Sequence, residues 1–385
     1  MSSASSIHSY GPYSFAWDVS GESPFLNQQI QEWSKTKPLD HVTILHYIPI
    51  THSTVRKVHA LIQGGAQVDL LRGQGGPSEV ENTCIDRLRK IGLKVFDNPT
   101  EITQSGKEYD YFLDCAGRLS SIPGKEPNTI LTPKYGYVEL TQSGLQYYKD
   151  KSLPVISIDT SKVKLLETIL GTGEGIYRAL HELVRIEEVY QIAMKDLKVV
   201  LFGYGKVGTG IARKLHENIA KVTVIEKDES KSNIDRAKRH FVVINSSNKA
   251  AVKEAIKDSH LIITATGIPD LMSREFPEKN GSYDPVFTDK ILVNAGGLKE
   301  FGPTFTKHPR LILEGRAINF GLEVPTNTRY IDPVFVLHNE ALLWIRNHEI
   351  SQPGIHPVPP AKDALLFAKW KAKWKDNLDV IEESN

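Results

Sequence analysis

Residues 197–228 constrain this chain more than any other stretch. The apolar run VVLF at 199–202 reads as a buried parallel strand, and it enters Gly203-x-Gly205-x-x-Gly208 before Ile211, Leu215 and Ile219 recur at helical spacing. The first glycine permits a tight turn, the second lets the backbone approach a pyrophosphate, and the third lets the helix pack on the strand. The phosphates then sit on the helix N-terminus. A second strand at 222–225 ends in Glu226, eighteen residues past Gly208. A carboxylate there accepts hydrogen bonds from the adenosine ribose hydroxyls and repels a 2′-phosphate, an effect that Lys227 softens. Strand, glycines, helix, second strand and terminal acid together specify a Rossmann-type unit. It takes NAD in preference to NADP, with Gly203, Gly205, Lys206, Val207, Gly208 and Glu226 around the cofactor.

Length and charge set the remaining bounds. A chain of 385 residues is long enough for two domains, and Lys+Arg 47 against Asp+Glu 46 leaves a net charge of +1. With no global positive field, nucleic acid and membranes are not expected partners; a small-molecule substrate is. Cys84 and Cys115 are too few and too far apart for a disulfide framework or a zinc site, so no metal is expected and a reducing compartment fits. Lys35 is the first basic residue, and no apolar run approaches the ~20 residues of a membrane span. The expected location is cytoplasmic.

Strand-like and helical patterns alternate through the N-terminal half as well. Residues 25–33 suggest an amphipathic helix, 42–49 a strand, 53–63 a helix stopped by Gly64-Gly65, and 67–71 the next strand. A helix at 78–91 with Ser78 as N-cap, strands at 94–96, 109–115 and 154–158, and a helix at 161–169 continue the pattern. Gly171, Gly173 and Gly175 then read as a hinge before a long amphipathic stretch with Ile176, Ala179, Leu180, Leu183 and Ile186 on one face. Strands at 260–264, 291–294 and 311–313 complete the nucleotide domain. The expected fold class is α/β: a Rossmann-type NAD-binding domain at 175–325, plus a second α/β doubly wound substrate domain at 1–174 to which about 326–350 return. The tail at 351–385 is a candidate oligomer contact. Its segment DALLFAKWKAKWK at 363–375 puts Leu366, Trp370 and Trp374 on one face of a basic helix, better explained by packing on its own subunit or a neighbour than by a membrane.

Several of these segments together resemble the S-adenosylhomocysteine hydrolase family. In the cofactor half they are residues 154–180, GYGKVGTGIA at 203–212, IITATGIPDL at 262–271, VNAGG at 293–297 and LEGRAINFG at 313–321. Earlier in the chain, ITHSTV at 50–55, FLDCAG at 112–117 and GYVELTQSG at 136–144 are similar to that family's LHMTV, ILDDGG and GISEETTTG. The likeness spans roughly 39–343. It implies an enzyme that holds NAD tightly, oxidises the 3′-hydroxyl of a nucleoside, eliminates a 5′ thiol, adds water and returns the hydride. It also implies a homo-oligomer, a dimer or tetramer, whose tail reaches a neighbour's NAD through a Lys and a Tyr; no Tyr follows Tyr330 here.

The resemblance carries roles onto particular residues. Lys164, in IDTSKVKLLET, matches the base for alcohol oxidation, and either Glu167 or Thr168 takes the place of the aspartate beside it. A lysine desolvated near a cofactor's positive charge can act as a base at neutral pH. His52 matches a histidine near the 5′ position, Asp114 the first of two catalytic aspartates, and Thr54 and Glu139 substrate contacts. Thr141, Gln142 and Ser143 replace a threonine triplet on nicotinamide and ribose. Thr266 lies beside the cofactor, Ala295, Gly296 and Gly297 line the nicotinamide, and Asn319 reads its carboxamide.

The departures are as informative. Cys115 replaces the second aspartate, Leu140 a glutamate that touches the ribose, Gly297 one histidine, and the region of Thr326 lacks another. Activating water and expelling a thiol need paired acids and bases, so ordinary adenosylhomocysteine hydrolysis is not expected. Two readings remain. The preferred one is an NAD-dependent enzyme, of oxidoreductase or hydrolase/lyase type, oxidising an alcohol of a nucleoside-like or sugar-like substrate. The alternative is an NAD-binding pseudoenzyme with a regulatory or scaffolding role.

Overall fold

The structure, a computed structural model, describes residues 23–73, 79–218, 220–227, 231–278, 281–376 and 378–382. Ser78 and Ile219 lie outside these residues. Strands β1 (Thr43–Tyr47), β2 (Gln67–Leu71), β3 (Lys94–Phe96), β4 (Tyr111–Asp114), β5 (Gly136–Glu139) and β6 (Pro154–Ser157) precede the fingerprint. Strands β7 (Lys198–Phe202), β8 (Lys221–Glu226), β9 (Val242–Asn245), β10 (Leu261–Thr264) and β11 (Ile291–Asn294) surround it, and β12 (Gly354–Pro357) comes last. They form two parallel sheets, in the orders β12-β6-β5-β4-β1-β2-β3 and β11-β10-β7-β8-β9. Every residue of β4, β5, β6, β10 and β11 is buried, as strands covered on both faces require.

Both sheets are doubly wound. In the first, the chain works outward from β1 through β3, then crosses back to β4; in the second, it works outward from β7 through β9, then crosses back to β10. The switch points lie between β1 and β4 and between β7 and β10, and the crevice outside the carboxyl ends of the strands at such a point is where open α/β sheets bind ligands.

The chain divides into two compact units: one runs up to Val163 and includes Asp332–Lys369, the other is Lys164–Ile331 with the residues from Trp370 onward. The first cut thus falls eleven residues before the expected boundary at 174, and the returning segment is longer than expected because it includes β12. β12 is a four-residue edge strand of alternating half-exposed and exposed residues, too short and too wet to stand out in a sequence. The first helix, Pro24–Thr36, belongs to this unit: the backbone N–H groups of Phe25 and Leu26 donate to the buried Asp332 carboxylate at 2.9 Å each. A distant carboxylate there supplies the cap that Ser23 does not.

Within the second unit, two expectations are corrected. Gly171, Gly173 and Gly175 lie in a continuous helical run, not in a break between elements: helix Lys162–Leu165 continues through a π-type turn at Leu166–Gly171 into helix Thr172–Ala179. A Cβ on Gly173 would lie 2.5 Å from the Gly210 carbonyl oxygen, and one on Gly210 1.9 Å from that of Ile169. These glycines let this run lie directly on the fingerprint helix. Residues 311–313 are not a strand. Ile312–Gly315 is a tight turn with Leu313 and Glu314 left-handed at φ 47° and 53°, and only Leu311 bridges to Leu292. The C-terminal helix Pro360–Trp374 packs on its own chain: Leu366 and Trp370 are buried, and the Trp370 indole donates to the Arg329 carbonyl at 2.6 Å. No described helix is long and apolar enough to cross a membrane. No cluster of three or more metal-ligating side chains occurs among the described residues.

Candidate functional site

The carboxyl end of β7 is shaped by sterics at three glycines. Gly203 has φ +93°, and a Cβ there would meet the Ala265 carbonyl oxygen at 2.6 Å; a Cβ on Gly208 would meet the Gly203 carbonyl oxygen at 2.0 Å. Only glycine fits either position without moving backbone. Gly205 differs, with no atom within 4 Å of the point a Cβ would occupy, so the space above it is open. Helix Lys206–Glu217 begins there without a side-chain cap, with Lys206 and Val207 half-buried in its first turn. Its leading N–H groups are therefore offered to that space, as an anionic pyrophosphate requires. Across the turn, Glu226 is buried and fixed: Tyr204 N–H donates to one carboxylate oxygen at 2.8 Å and Lys227 N–H to the other at 2.9 Å. These residues fit a dinucleotide.

The neighbouring loops are held by a residue that sequence reasoning missed. Glu300, fully buried, accepts from the Thr266 N–H at 2.9 Å, the Thr266 hydroxyl at 2.7 Å and the Gly267 N–H at 2.8 Å. Burial pushes its carboxyl up, and these donors pull it part of the way back. The Thr266 hydroxyl, expected beside the cofactor, here donates to Glu300. Gly296 leaves room for the same carboxylate, since a Cβ would lie 2.1 Å from it. Ala295 is buried, whereas Gly297 is exposed with nothing within 4 Å of where a Cβ would lie. Asn294 ties this loop down, its amide donating to the carbonyls of Gly296, Leu298 and Gly315 at 3.1, 2.8 and 2.9 Å. Asn319 is buried with its amide 3.5 Å from the Pro325 carbonyl.

Lys164 sits at the end of the first turn of its helix, 2% exposed, with its ammonium 2.6 Å from Glu167. Thr168 instead turns its hydroxyl back onto the Lys164 carbonyl at 3.0 Å. Of these two residues, Glu167 is the one whose side chain pairs with the Lys164 ammonium.

In the first unit, the expected site carboxylates anchor loops. Asp114 and Glu139 end adjacent strands in register and are both fully buried. Asp114 accepts from Cys115 N–H and Leu119 N–H at 2.7 Å each and from the Tyr148 hydroxyl at 2.5 Å. Glu139 accepts from Ala116 N–H at 2.9 Å, Gly117 N–H at 3.1 Å, Thr141 N–H at 2.8 Å and the Thr141 hydroxyl at 2.6 Å. Burial, and for Asp114 also the Glu139 charge, holds both carboxyls above the usual range. Asp114, Glu139 and Thr141 thus tie together the loops after β4 and β5, through backbone N–H groups and the Tyr148 and Thr141 hydroxyls. Thr54 closes a capping box with Thr51, accepting from Thr51 N–H at 2.7 Å and donating to its carbonyl at 3.0 Å. Gln142 and Ser143 are exposed, and His52 is half-buried with Nδ1 3.8 Å from the Cys84 sulfur.

A second missed feature lies beneath the β1–β4 switch point. Lys57, fully buried, reaches His46 Nε2 at 2.9 Å, while His46 Nδ1 lies 2.9 Å from the Leu113 carbonyl. A carbonyl only accepts, so Nδ1 carries the hydrogen and Nε2 accepts from Lys57. No carboxylate pairs with Lys57 among the described residues. Desolvation lowers both groups well below 10.5 and 6.5 respectively, so the unfolded chain binds protons here that the folded chain does not. Stability contributed by Lys57 therefore rises with pH below its unfolded value and is lost as pH falls, opposite in sign to the raised Asp114 and Glu139 carboxyls. Comparing wild type with Lys57→Met isolates it. Urea unfolding between about pH 8 and 10 is expected to show a wild-type slope steeper by up to about 1.4 kcal/mol per pH unit. Parallel slopes would mean that Lys57 stays charged in the fold.

The family described as NAD(P)-binding matches residues 191–279. An adenosylhomocysteinase from Thermotoga maritima is 27% identical over 90% of each chain. An S-inosyl-L-homocysteine hydrolase from Methanopyrus kandleri is 24% identical over 88% of this chain and 85% of its own. Among solved structures, a dipicolinate synthase from Bacillus halodurans superposes with a TM-score of 0.44 at 13% identity, covering 80% of this chain and 98% of that one.

Proposed function

We propose that this chain, a divergent relative of the adenosylhomocysteinases with an NAD-binding domain, oxidises an alcohol of a nucleoside-like or sugar-like substrate with tightly held NAD. The observation that carries this reading is the buried Lys164 paired with the half-buried Glu167, kept in a unit whose dinucleotide cradle is sterically intact. Bound NAD would supply the hydride acceptor. Gly203, Gly205, Gly208 and the start of helix Lys206–Glu217 would hold its pyrophosphate, and Glu226 its adenosine ribose. In its neutral amine form, Lys164 would take the hydroxyl proton on Nζ, with Glu167 orienting it. The relatives' names differ in the nucleoside, adenosyl in one and inosyl in another, which supports a nucleoside-like substrate without fixing its base.

Ordinary S-adenosylhomocysteine hydrolysis is not the activity these residues support. On the resemblance, Cys115 and the buried Leu140 replace polar groups of that family, and Gly297 replaces a histidine. Release of homocysteine, followed with a thiol reagent, is expected to stay far below about 1 per second; turnover at that rate would overturn this assignment. A scaffolding or regulatory NAD-binding role is the second reading, favoured by the commitment of Asp114 and Glu139 to backbone. Masses of co-purifying small molecules, followed by a screen of nucleosides and sugars for NADH absorbance, separate the two. Reduction of bound NAD by any of them supports the enzyme.

A further inference from the structure

We propose that Asp363 is a positioning residue for Lys164, acting through the helix that carries it. This rests on the reading of Lys164 as a base, although the test below does not. The helical run containing Lys164 begins at Lys162. Its first two N–H groups, those of Lys162 and Val163, donate to the two oxygens of Asp363 at 2.5 and 2.9 Å. Asp363 lies in the first turn of helix Pro360–Trp374, about 200 positions further along the chain. A carboxylate at a helix start satisfies orphan donors and meets the positive end of the helix dipole. A grip through both oxygens also fixes the rotation of that first turn.

The side chain of Lys162 is held by the same helix: its ammonium lies 4.7 Å from the Phe367 ring, and Phe367 follows Asp363 by one helical turn. The turn that precedes Lys164 is thus clamped at backbone and side chain from one outside element. Lys164 itself is 2% exposed, so its ammonium has little freedom to find Glu167 by rotamer changes alone. Where the backbone of the first turn sits decides where that ammonium sits.

The test labels the full-length protein with a lysine-selective acylating reagent and reads each lysine by mass spectrometry. Asp363→Ala is expected to raise the labelling rate of Lys164 about tenfold, the scale of a lost helix cap. Asp363→Asn keeps one acceptor oxygen and should give an intermediate rise; it carries the test if the alanine variant fails to fold. Lys57 and Lys290, buried on other elements, should label at wild-type rates in both variants. An unchanged rate at Lys164 overturns the proposal, and so does a parallel rise at Lys57, which marks general loosening. If Lys164→Met retains NAD reduction while Asp363→Ala raises Lys164 labelling selectively, Asp363 positions this lysine and only the base reading fails.

Discussion

Lys164→Met is expected to bind NAD like wild type and to lose substrate-dependent reduction of it by about 100-fold to 10,000-fold, the usual contribution of a positioned general base. Methionine keeps most of the bulk in a site where the lysine is 2% exposed, so loss of fold is not the expected route to loss of activity. Lys164→Arg should fail nearly as badly. It can still pair with Glu167, yet a guanidinium stays protonated and cannot accept the hydroxyl proton. Absorbance of NADH with a substrate from the nucleoside and sugar screen is the readout. A Lys164→Met protein working at the wild-type rate would leave the Lys164–Glu167 pair as a purely structural contact.

Gly205→Val and Gly208→Val should part company. Gly205 has φ −71° and open space where a side chain would go, so its valine variant should melt like wild type while NAD affinity falls at least about 100-fold, the new side chain filling the pyrophosphate position. Gly208 faces the Gly203 carbonyl, where a Cβ would stand at 2.0 Å; its valine variant should lose thermal stability before binding can be measured. Thermal melts and calorimetry read both. A Gly205→Val protein that binds NAD normally would move the dinucleotide elsewhere.

What the sequence reveals follows from how local each cause is. The three fingerprint glycines and Glu226 act over a few residues of one strand–turn–helix unit, where Gly203 and Gly208 answer to close backbone and Gly205 leaves open space. Glu139 is different: GYVE reads the same whether its carboxylate faces a ligand or, as here, four backbone and hydroxyl donors brought by the 114–118 and 139–141 loops. Glu300 is illegible for the same reason, since Thr266 and Gly267 reach it only once β10 and β11 pair. Lys57 on an amphipathic helix looks like a solvent-facing residue until the core closes over it. The choice between Glu167 and Thr168 stays open in sequence because a π-type turn begins directly after Leu165, and its extra residue shifts the helical register by one.

The partnership of β12 with β6 bears on how the molecule comes into being. Gly354–Pro357 lies beside Pro154–Ser157, and Asp332 caps a helix that starts at Pro24, so the first unit is closed by segments that leave the ribosome only after the whole of the second unit through Ile331. The part made first is therefore finished last. The NAD-binding sheet, contiguous from β7 to β11, has all its strands in hand while the other still waits for its outer edge. During that interval the β6 edge presents an unpaired row of backbone donors and acceptors, the kind of edge on which newly made chains aggregate.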